Sequence, residues 1–250
     1  MKSLNKIIMI ILLATATVTV RYFKKPNTLI QEIVVGTSAD YPPFSYIDQS
    51  GAIVGFDIDL IKEIFKRLGQ PYRLENMPFE TLLPQMQFGS IDVIATGMSP
   101  TPERAARILF SQSYLQEDPL TIVTLADSTI HSLEDLYGKQ VAVNQGYVAD
   151  MRLSEKPEIS LIRLPSISDA LLALKHGKVA AFVTGARTIK PLQETLGNTT
   201  LKTIPIPEMQ EETALGISKN KPELAQKINT ILQEMSADGT LTLLSETWKL

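Results

Sequence analysis

The segment Gly97-Met98-Ser99-Pro100-Thr101-Pro102-Glu103-Arg104 follows an apolar run at residues 91–96, and together they predict a buried strand that turns directly into a helix. Thr101 is suited to the N-cap and Pro102 to the first helical position, and residues 105–110 are predicted to continue the helix. In open α/β sheets such a junction lies at the carboxyl ends of the strands, where ligands bind.

Arg104 would lie in the first turn of this helix, where unpaired backbone N–H groups already create a positive potential. A capping box would place Glu or Gln there instead, so a cation requires a compensating negative group. We therefore predict an anion site at this corner, most simply for the carboxylate of a ligand. The alternative is a solvated surface charge near a helix start.

The composition favours a globular protein and argues against several functions. The chain has 250 residues, of which 44% are hydrophobic, and this is enough for a sizeable core. It has no cysteine, so neither a disulfide framework nor a lipid-modified cysteine is possible. His131 and His176 are far apart in the sequence and are expected at the surface, so we expect no metal site and no cofactor.

The N-terminus resembles a secretory signal. Lys2 and Lys6 precede an apolar segment, and Ala14-Thr15-Ala16 is a candidate cleavage site, so residues 1–20 are predicted to be a signal peptide cleaved after Ala16. The alternative is an uncleaved anchor, although the uncharged run is shorter than the roughly 20 residues that span a bilayer. Residues 21–31 are expected to be a flexible tether, and the protein is expected in the periplasm.

Loss of residues 1–20 would remove two lysines and leave 22 basic and 27 acidic residues. This acidic balance gives no support to nucleic-acid binding. We therefore expect no nucleic-acid partner.

Predicted strands and helices alternate along the first half of the chain. Strands are expected at 32–37, 72–75 and 91–96, and helices at 57–68 and 79–88. Residues 38–46 are predicted to be an aromatic loop because Pro42 and Pro43 oppose regular pairing. Pro84 fits the second helix only if it lies in the first turn. This alternation predicts a mainly parallel sheet with helices on both faces.

A second α/β unit follows the Asp118-Pro119 pair, which is predicted to interrupt the strand pattern. Strands are expected at 120–125, 141–143, 179–183 and 214–218, a helix capped by Ser168, and a long helix at 221–235 that returns to the first unit. Lobe 1 would comprise residues 32–118 and 213–250, and lobe 2 residues 119–212. Crossings near 117–120 and 208–213 would form a double hinge.

Five segments of the sequence resemble a known family. They are Val35-Gly36-Thr37 with Tyr41-Pro42-Pro43-Phe44, the segment Gly55 to Leu60, Gly97-Met98-Ser99 with Arg104, Gly138-Lys139 with Val141-Ala142-Val143 and Gly146, and Ala237-Asp238-Gly239-Thr240 with Trp248. In this order they resemble the periplasmic polar amino-acid-binding proteins of bacterial ABC importers. The resemblance implies a two-lobed type II periplasmic-binding fold, in which each α/β lobe has a mainly parallel sheet flanked by helices and a double hinge joins the lobes.

The resemblance also implies a ligand site. An arginine at the position of Arg104 would bind the ligand α-carboxylate, helped by Ser99 and by the amide of Val148 in the second lobe. Tyr41 and Phe79 would flank the ligand side chain, although packing in the core is the commoner fate of such aromatics, as expected for Phe44 and Phe56. The expected ligand-binding residues are Tyr41, Phe79, Thr96, Gly97, Met98, Ser99, Arg104, Gly146, Val148 and Thr184.

One position departs from the family pattern. Relatives place an aspartate after the strand at 179–183 to pair with the ligand ammonium, whereas the aligned residue here is Thr184. A hydroxyl cannot neutralise a buried cation, so either another acid substitutes or the substrate depends less on its amine. The candidate acids are Asp40, Glu208, Glu211 and Glu212. Relatives that bind basic side chains carry an acid at the position of Ser38, and its absence weakens the case for arginine or lysine.

The resemblance implies a binding protein that closes over a polar amino acid, arginine or glutamine-like, and presents it to a permease in the inner membrane. We expect a monomer and no catalytic residues. The Asp57 and Asp59 carboxylates are explained by their place at a helix start. The alternatives are an enzyme on the same fold, such as a cyclohexadienyl dehydratase, and a ligand sensor that acts through a separate partner.

Overall fold

A computed structural model describes residues 32–196 and 200–250. The strands in this part of the chain are β1 (Ile33–Thr37), β2 (Asp40–Tyr41), β3 (Ser45–Ile47), β4 (Ile53–Val54), β5 (Tyr72–Asn76), β6 (Val93–Ile94), β7 (Leu109–Phe110), β8 (Leu115–Leu125), β9 (Gln140–Asn144), β10 (Ser160–Leu164), β11 (Ala181–Gly185), β12 (Leu201–Thr213) and β13 (Gly216–Ile217). The helices are α1 (Phe56–Leu68), α2 (Phe79–Gln87), α3 (Pro102–Ala105), α4 (Val148–Ser154), α5 (Ile167–Lys175), α6 (Ile189–Leu196), α7 (Pro222–Ala237) and α8 (Thr240–Trp248). Two 3-10 turns lie at Glu134–Leu136 and Ala186–Thr188.

Two five-stranded sheets form the framework, in the orders β5-β1-β6-β13-β7 and β10-β9-β11-β8-β12. In the first sheet only β13 runs against the other strands. In the second sheet β8 has the same place and the same reversed direction. The predicted fold is confirmed: two mainly parallel sheets with flanking helices form a two-lobed type II periplasmic-binding fold.

The buried side chains explain how the sheets are covered and where they meet. One cluster packs α1 and α7 against the first sheet, as in the contact of Phe56 with the group around Ile228. Another packs the α4 side of the second sheet. A third cluster joins the two lobes, because it includes Ile94 of the first sheet and Phe182 of the second. Apolar packing therefore extends across the cleft between the sheets.

Strands β8 and β12 form the connection between the sheets. The chain leaves the first sheet after Phe110, enters β8 at Leu115, and returns between Thr213 and Gly216. The long antiparallel pair carries register shifts near Ile206 and Glu211. Residues 117–120 and 208–213, where the sequence places the crossings, lie in this pair.

The helix after Pro102 is shorter than predicted. It ends at Ala105, and Leu109 and Phe110 form a strand that pairs with Ile217 and Gly216. Ile108 is buried within the lobe-joining cluster. Pairing with β13 and burial of Ile108 outweigh the local helical propensity of residues 105–110, so the predicted continuation is wrong.

Two predictions about prolines are also wrong. Pro84 lies in the interior of α2, and the buried Leu82, Leu83 and Met86 keep this helix on the core despite the missing N–H group. Pro42 and Pro43 form the turn between two strands, because Tyr41 pairs with Ser45. The segment predicted to be a loop is therefore a hairpin.

Asp118-Pro119 does not interrupt the strand pattern as predicted. Pro119 lies inside β8 and faces Gln210 next to a register shift, where the ladder tolerates a residue without an N–H group. Ser168 is not the cap of α5 either. Ser166 is the cap, and its hydroxyl accepts a 3.1 Å hydrogen bond from the N–H of Asp169.

Across residues 32–196 and 200–250, no helix has the length and apolar character needed to cross a bilayer. The predicted signal peptide and tether, residues 1–31, lie outside the described part of the chain. His131 and His176 are exposed, as predicted.

Candidate functional site

The backbone around Gly97 places Arg104 at the edge of the first sheet. Gly97 has φ 64°, and a Cβ there would lie 2.8 Å from the Tyr41 ring, so this corner requires glycine. The Gly97 N–H donates a 2.5 Å hydrogen bond to Asp57 Oδ2, and Thr101 Oγ1 accepts a 3.3 Å bond from the Arg104 N–H. The predicted N-cap at Thr101 and first helical position at Pro102 are confirmed.

Asp57 fixes this corner from α1 rather than acting with Asp59. Its second oxygen accepts a 2.7 Å bond from the Tyr114 hydroxyl, and burial raises the pKa of its carboxyl to about 6. Asp59 instead pairs with Lys62 and accepts a bond from the Trp248 indole. The two carboxylates therefore have separate structural roles.

The Arg104 guanidinium is buried and reaches across the cleft. Its side chain is only 5% exposed, and burial lowers its pKa. It donates a 2.7 Å bond to the carbonyl of Ser99 and a 2.8 Å bond to the carbonyl of Gly146, which belongs to the second lobe. In the described part of the chain no carboxylate forms an ion pair with Arg104. The site thus holds a buried cation whose hydrogen-bond acceptors are neutral, which suits an anionic ligand.

Gly146 and Val148 are brought to this cation by the turn between β9 and α4. The Gly146 N–H donates a 3.0 Å bond to Asp150 Oδ2, which fixes the turn. Val148 is buried and is the first residue of α4, so its amide belongs to the unpaired N–H groups of a helix start. A cavity of about 190 Å³ opens beside Arg104 and Gly146.

Three aromatic rings fill the centre of the cleft. Tyr41 and Phe79 are both buried there, and the Phe79 ring centroid lies 5.3 Å from the Arg104 guanidinium carbon. Tyr147, which was not among the residues predicted for the site, has its ring centroid 4.1 Å from that of Phe79 and 5.2 Å from that of Tyr41. Its only sequence signal is its place between Gly146 and Val148.

Thr96 and Met98 flank Gly97 and make their contacts within the first lobe. The Thr96 hydroxyl bonds to the carbonyl of Ser38 at 3.0 Å and to Ser45 Oγ at 2.9 Å. Met98 is fully buried, and its carbonyl accepts a bond from the Ala214 N–H. The structure therefore gives both side chains packing and hydrogen-bonding roles within the first lobe.

Thr184 is buried at the end of β11 and already has partners. Its hydroxyl lies 3.2 Å from the Thr188 hydroxyl and shares a hydrogen bond with Tyr41. Next to it, Gly185 faces two carboxylates: an ideal Cβ at Gly185 would lie 2.7 Å from Glu211 Oε2 and 2.9 Å from Asp118 Oδ2. The negative charge near Thr184 thus comes from the strands β8 and β12.

Of the three candidate acids near the second crossing, Glu211 lies in the cleft, whereas Glu208 and Glu212 are exposed. Burial, reinforced by the nearby Asp118 charge, raises the pKa of Glu211 to about 8. Asp118 is also buried, and burial raises its pKa. It was not among the acids predicted from the sequence.

Asp40 provides a further acid on the first lobe. Its Oδ1 accepts a 2.8 Å bond from the Ser38 hydroxyl, so a carboxylate stands beside the position that carries serine. Burial raises the pKa of Asp40. The cleft therefore combines one buried cation with acids in two directions, an arrangement suited to a zwitterion with a second polar group.

Another cavity, of about 560 Å³, is bounded by Pro42, Arg187 and Trp248. Its lining does not include Arg104 or Tyr147. It is therefore separate from the candidate site.

Comparison with known proteins agrees with this architecture. The arginine-binding extracellular protein ArtP of Bacillus subtilis is 33% identical over 87% of this chain and 86% of its own length. The probable ABC transporter arginine-binding protein ArtJ of Chlamydia trachomatis is 31% identical over 88% of this chain and 86% of its own length. Both relatives are therefore matched over nearly their full lengths.

Solved structures match equally well. An ancestral arginine-binding protein bound to arginine aligns with a TM-score of 0.81 and 34% identity, over 88% of this chain and 99% of that one. An ancestral arginine-binding protein bound to glutamine gives 0.82 and 34%, over 87% and 97%. Residues 33–250 match the family described as bacterial extracellular solute-binding proteins, family 3. The chain belongs to this family.

Proposed function

We propose that this protein binds a polar amino acid between its two lobes and delivers it to the permease of an ABC importer, with arginine as the first candidate ligand. The observation that carries the proposal is Arg104, a buried guanidinium that contacts both lobes and forms no ion pair with a carboxylate in the described residues. The ligand α-carboxylate would replace neutral carbonyl acceptors with a charged one, which two parallel N–H groups of a guanidinium can bind at once.

Arginine is favoured over glutamine by the acid at the other side of the cleft. Asp40 accepts a hydrogen bond from Ser38 and lies near Glu80 and Asp169, so a ligand guanidinium would meet negative charge there. The names of the relatives, which include several arginine-binding proteins, point the same way. In this proposal Asp40 supplies the negative charge that relatives binding basic side chains carry at the position of Ser38.

Lobe opening is part of the proposed function. The space enclosed by Tyr41, Tyr147 and Glu211 is only about 10 Å³, too small for an amino acid. A ligand therefore requires separation of residues 32–118 and 213–250 from residues 119–212, with β8 and β12 as hinge, and its contacts with both lobes then favour the closed form. We propose that the protein acts as a monomer in the periplasm after removal of the signal peptide.

The family and the relatives are those of transport proteins rather than enzymes. We extend this to the proposal that the cleft binds its ligand without turnover. A dehydratase on the same fold would convert prephenate or arogenate, and a product assay on the purified protein separates the two functions.

A thermal-shift screen of the twenty amino acids with ornithine and citrulline tests the proposal. A ligand present at about 100 times its Kd stabilises a protein by roughly 2.7 kcal/mol. We expect arginine to give the largest shift, followed by stoichiometric binding in calorimetry. If no amino acid stabilises the protein, the proposed function is wrong.

A further inference from the structure

Two carboxylates converge where the hinge strands meet the cleft. Asp118 on β8 and Glu211 on β12 are directly opposed in the antiparallel register. Both point at the backbone of Gly185, because a Cβ at that residue would lie within 2.9 Å of an oxygen of each. The Tyr41 hydroxyl would lie 3.3 Å from the same Cβ. The side chains of β8 and β12 thus occupy the volume that a side chain at position 185 would fill.

A separate observation indicates that this volume is part of a binding site. Glu211, Gly185 and Tyr147 line the same small cavity. Tyr147 is nine-tenths buried, and its hydroxyl has no hydrogen-bond partner among the described residues. A buried hydroxyl without a partner is unfavourable unless a ligand or a changed conformation satisfies it.

The charges around the pair are unequal. Asp118 is paired with Arg187. The backbone N–H of Arg187 donates a 3.1 Å bond to Asp118 Oδ1, and its guanidinium lies 3.6 Å from Oδ2. Glu211 is attracted by Arg104 and Arg187 and accepts a hydrogen bond from Ser99, and it forms no ion pair within the part of the chain that the structure describes. The other titratable groups that influence Glu211 across the cleft are Tyr41 and Tyr147.

Two carboxylates this close in a buried place favour a state in which one of them keeps its proton. An ammonium group that enters between them replaces the proton as the neutralising charge. Glu211 then loses its proton to solvent as the ammonium donates hydrogen bonds to the carboxylate pair, while the amine keeps its own protons.

We propose that Asp118 and Glu211 form the subsite for the ligand ammonium group, in place of an acid at the end of β11, and that they bind it in exchange for a proton. The proposal rests on the proposed function, because the ligand is the amino acid held by Arg104. It predicts that affinity falls as the pH is lowered through the range in which Glu211 holds its proton.

The raised pKa of Glu211 determines at which pH ligand binding releases a proton. At pH 6.5 burial and the Asp118 charge keep Glu211 protonated, since its pKa is raised to about 8, and binding must release that proton. Above this pKa the Glu211 carboxyl is already ionised, so ligand binding no longer releases a proton. The ammonium and carboxylate groups of arginine itself do not titrate near pH 6.5.

Calorimetry tests the exchange directly. Arginine binding to the purified protein is measured at pH 6.5 in phosphate and in imidazole buffer, whose ionisation enthalpies differ. We expect the binding enthalpies in the two buffers to differ by the amount that corresponds to the transfer of about one proton per ligand from the protein to the buffer. We expect Glu211→Gln to abolish that release and to weaken binding at least roughly tenfold. Glu208→Gln changes an exposed glutamate of the same strand and serves as the matched control, with wild-type release and affinity.

The outcomes separate this subsite from the function. If arginine or another amino acid binds the wild-type protein with no proton released, the exchange is overturned even if Glu211→Gln fails to fold. If Glu211→Gln folds and keeps wild-type affinity, the ammonium subsite is overturned while amino-acid binding stands. If no amino acid binds the wild-type protein, the proposed function itself is wrong and this subsite falls with it.

Discussion

Tyr147 of the second lobe packs against Phe79 of the first lobe, with ring centroids 4.1 Å apart and ring planes tilted by 33°. The contact closes the centre of the cleft, and Tyr41 completes the group edge-on to Tyr147. Any ligand that joins Arg104 to the acids on β8 and β12 must pass these rings. The rings therefore decide both how tightly the lobes close and how much room a ligand has.

Removal of the Tyr147 hydroxyl should stabilise the protein. This hydroxyl is buried and has no hydrogen-bond partner among the described residues, and an unsatisfied buried polar group costs about 1–3 kcal/mol. We expect Tyr147→Phe to raise the free energy of unfolding by about 1 kcal/mol, equivalent to a Tm increase of roughly 2–4 °C, in denaturant and thermal unfolding.

Tyr41→Phe is the matched control, because the Tyr41 hydroxyl shares a hydrogen bond with Thr184. This variant should lower the free energy of unfolding by about 1 kcal/mol. A Tyr147→Phe variant that is as destabilised as Tyr41→Phe would mean that the Tyr147 hydroxyl is satisfied in solution.

Truncation of Arg104 should abolish tight binding. Arg104→Ala removes the guanidinium that contacts Ser99 and Gly146, and the loss of one partner of a buried charge pair costs on the order of 2–5 kcal/mol of binding free energy. Arg104→Lys keeps the charge without the planar donor geometry, so its affinity should lie between the wild type and the alanine variant. Calorimetric titration with arginine measures both.

Arg73 offers the control for these variants. It lies on β5, is exposed, and pairs with Glu32 at 3.5 Å. Arg73→Ala should leave the affinity unchanged. Equal affinity in Arg104→Ala and Arg73→Ala would disprove the role of Arg104.

The sequence predicted the position of Arg104 in the first turn of a helix because that position depends on neighbouring residues. Thr101 as N-cap and Pro102 as first helical residue place the arginine by short-range chemistry, and the structure keeps both. The same local chemistry failed for residues 105–110. There the outcome depends on pairing with β13, which comes from more than 100 residues later in the chain.

The acids of the cleft could not be chosen from the sequence for a related reason. Glu208, Glu211 and Glu212 belong to one strand, and only the register with β8 decides which of them faces the cleft. Asp118 was missed because the proline after it predicted a break, whereas a register shift accommodates Pro119 within β8. Tyr147 was missed because its partners Phe79 and Tyr41 belong to the other lobe.

Protein stability should depend on pH through Asp57. Burial raises the pKa of its carboxyl from 3.8 to about 6, so between these values the folded state binds more protons than the unfolded state. Stability from this group therefore falls as the pH rises from about 4 to 6, by up to about 3 kcal/mol. We expect Asp57→Asn to lack this part of the pH dependence in urea unfolding at pH 4, 5 and 6. Parallel curves for the two proteins would contradict the raised pKa.

The last prediction concerns the side-chain end of the ligand. Asp40 is held by the Ser38 hydroxyl, and its carboxylate is the acid that we assign to a ligand guanidinium. Asp40→Asn removes the charge while it keeps the size and one hydrogen-bond acceptor. We expect arginine affinity to fall at least tenfold, about 1.4 kcal/mol, and glutamine affinity to change far less, since its neutral amide needs no counter-ion.

Titrations of both ligands against Asp40→Asn and against Asp127→Asn, an exposed aspartate, measure this difference. Asp127→Asn should bind both ligands as the wild type does. Equal losses of affinity for arginine and glutamine in Asp40→Asn would indicate that Asp40 maintains the structure of the cleft and does not interact with the ligand charge. An unchanged ratio of the two affinities would remove the reason to place arginine before glutamine, and would leave Arg104 as a grip on the carboxylate common to both.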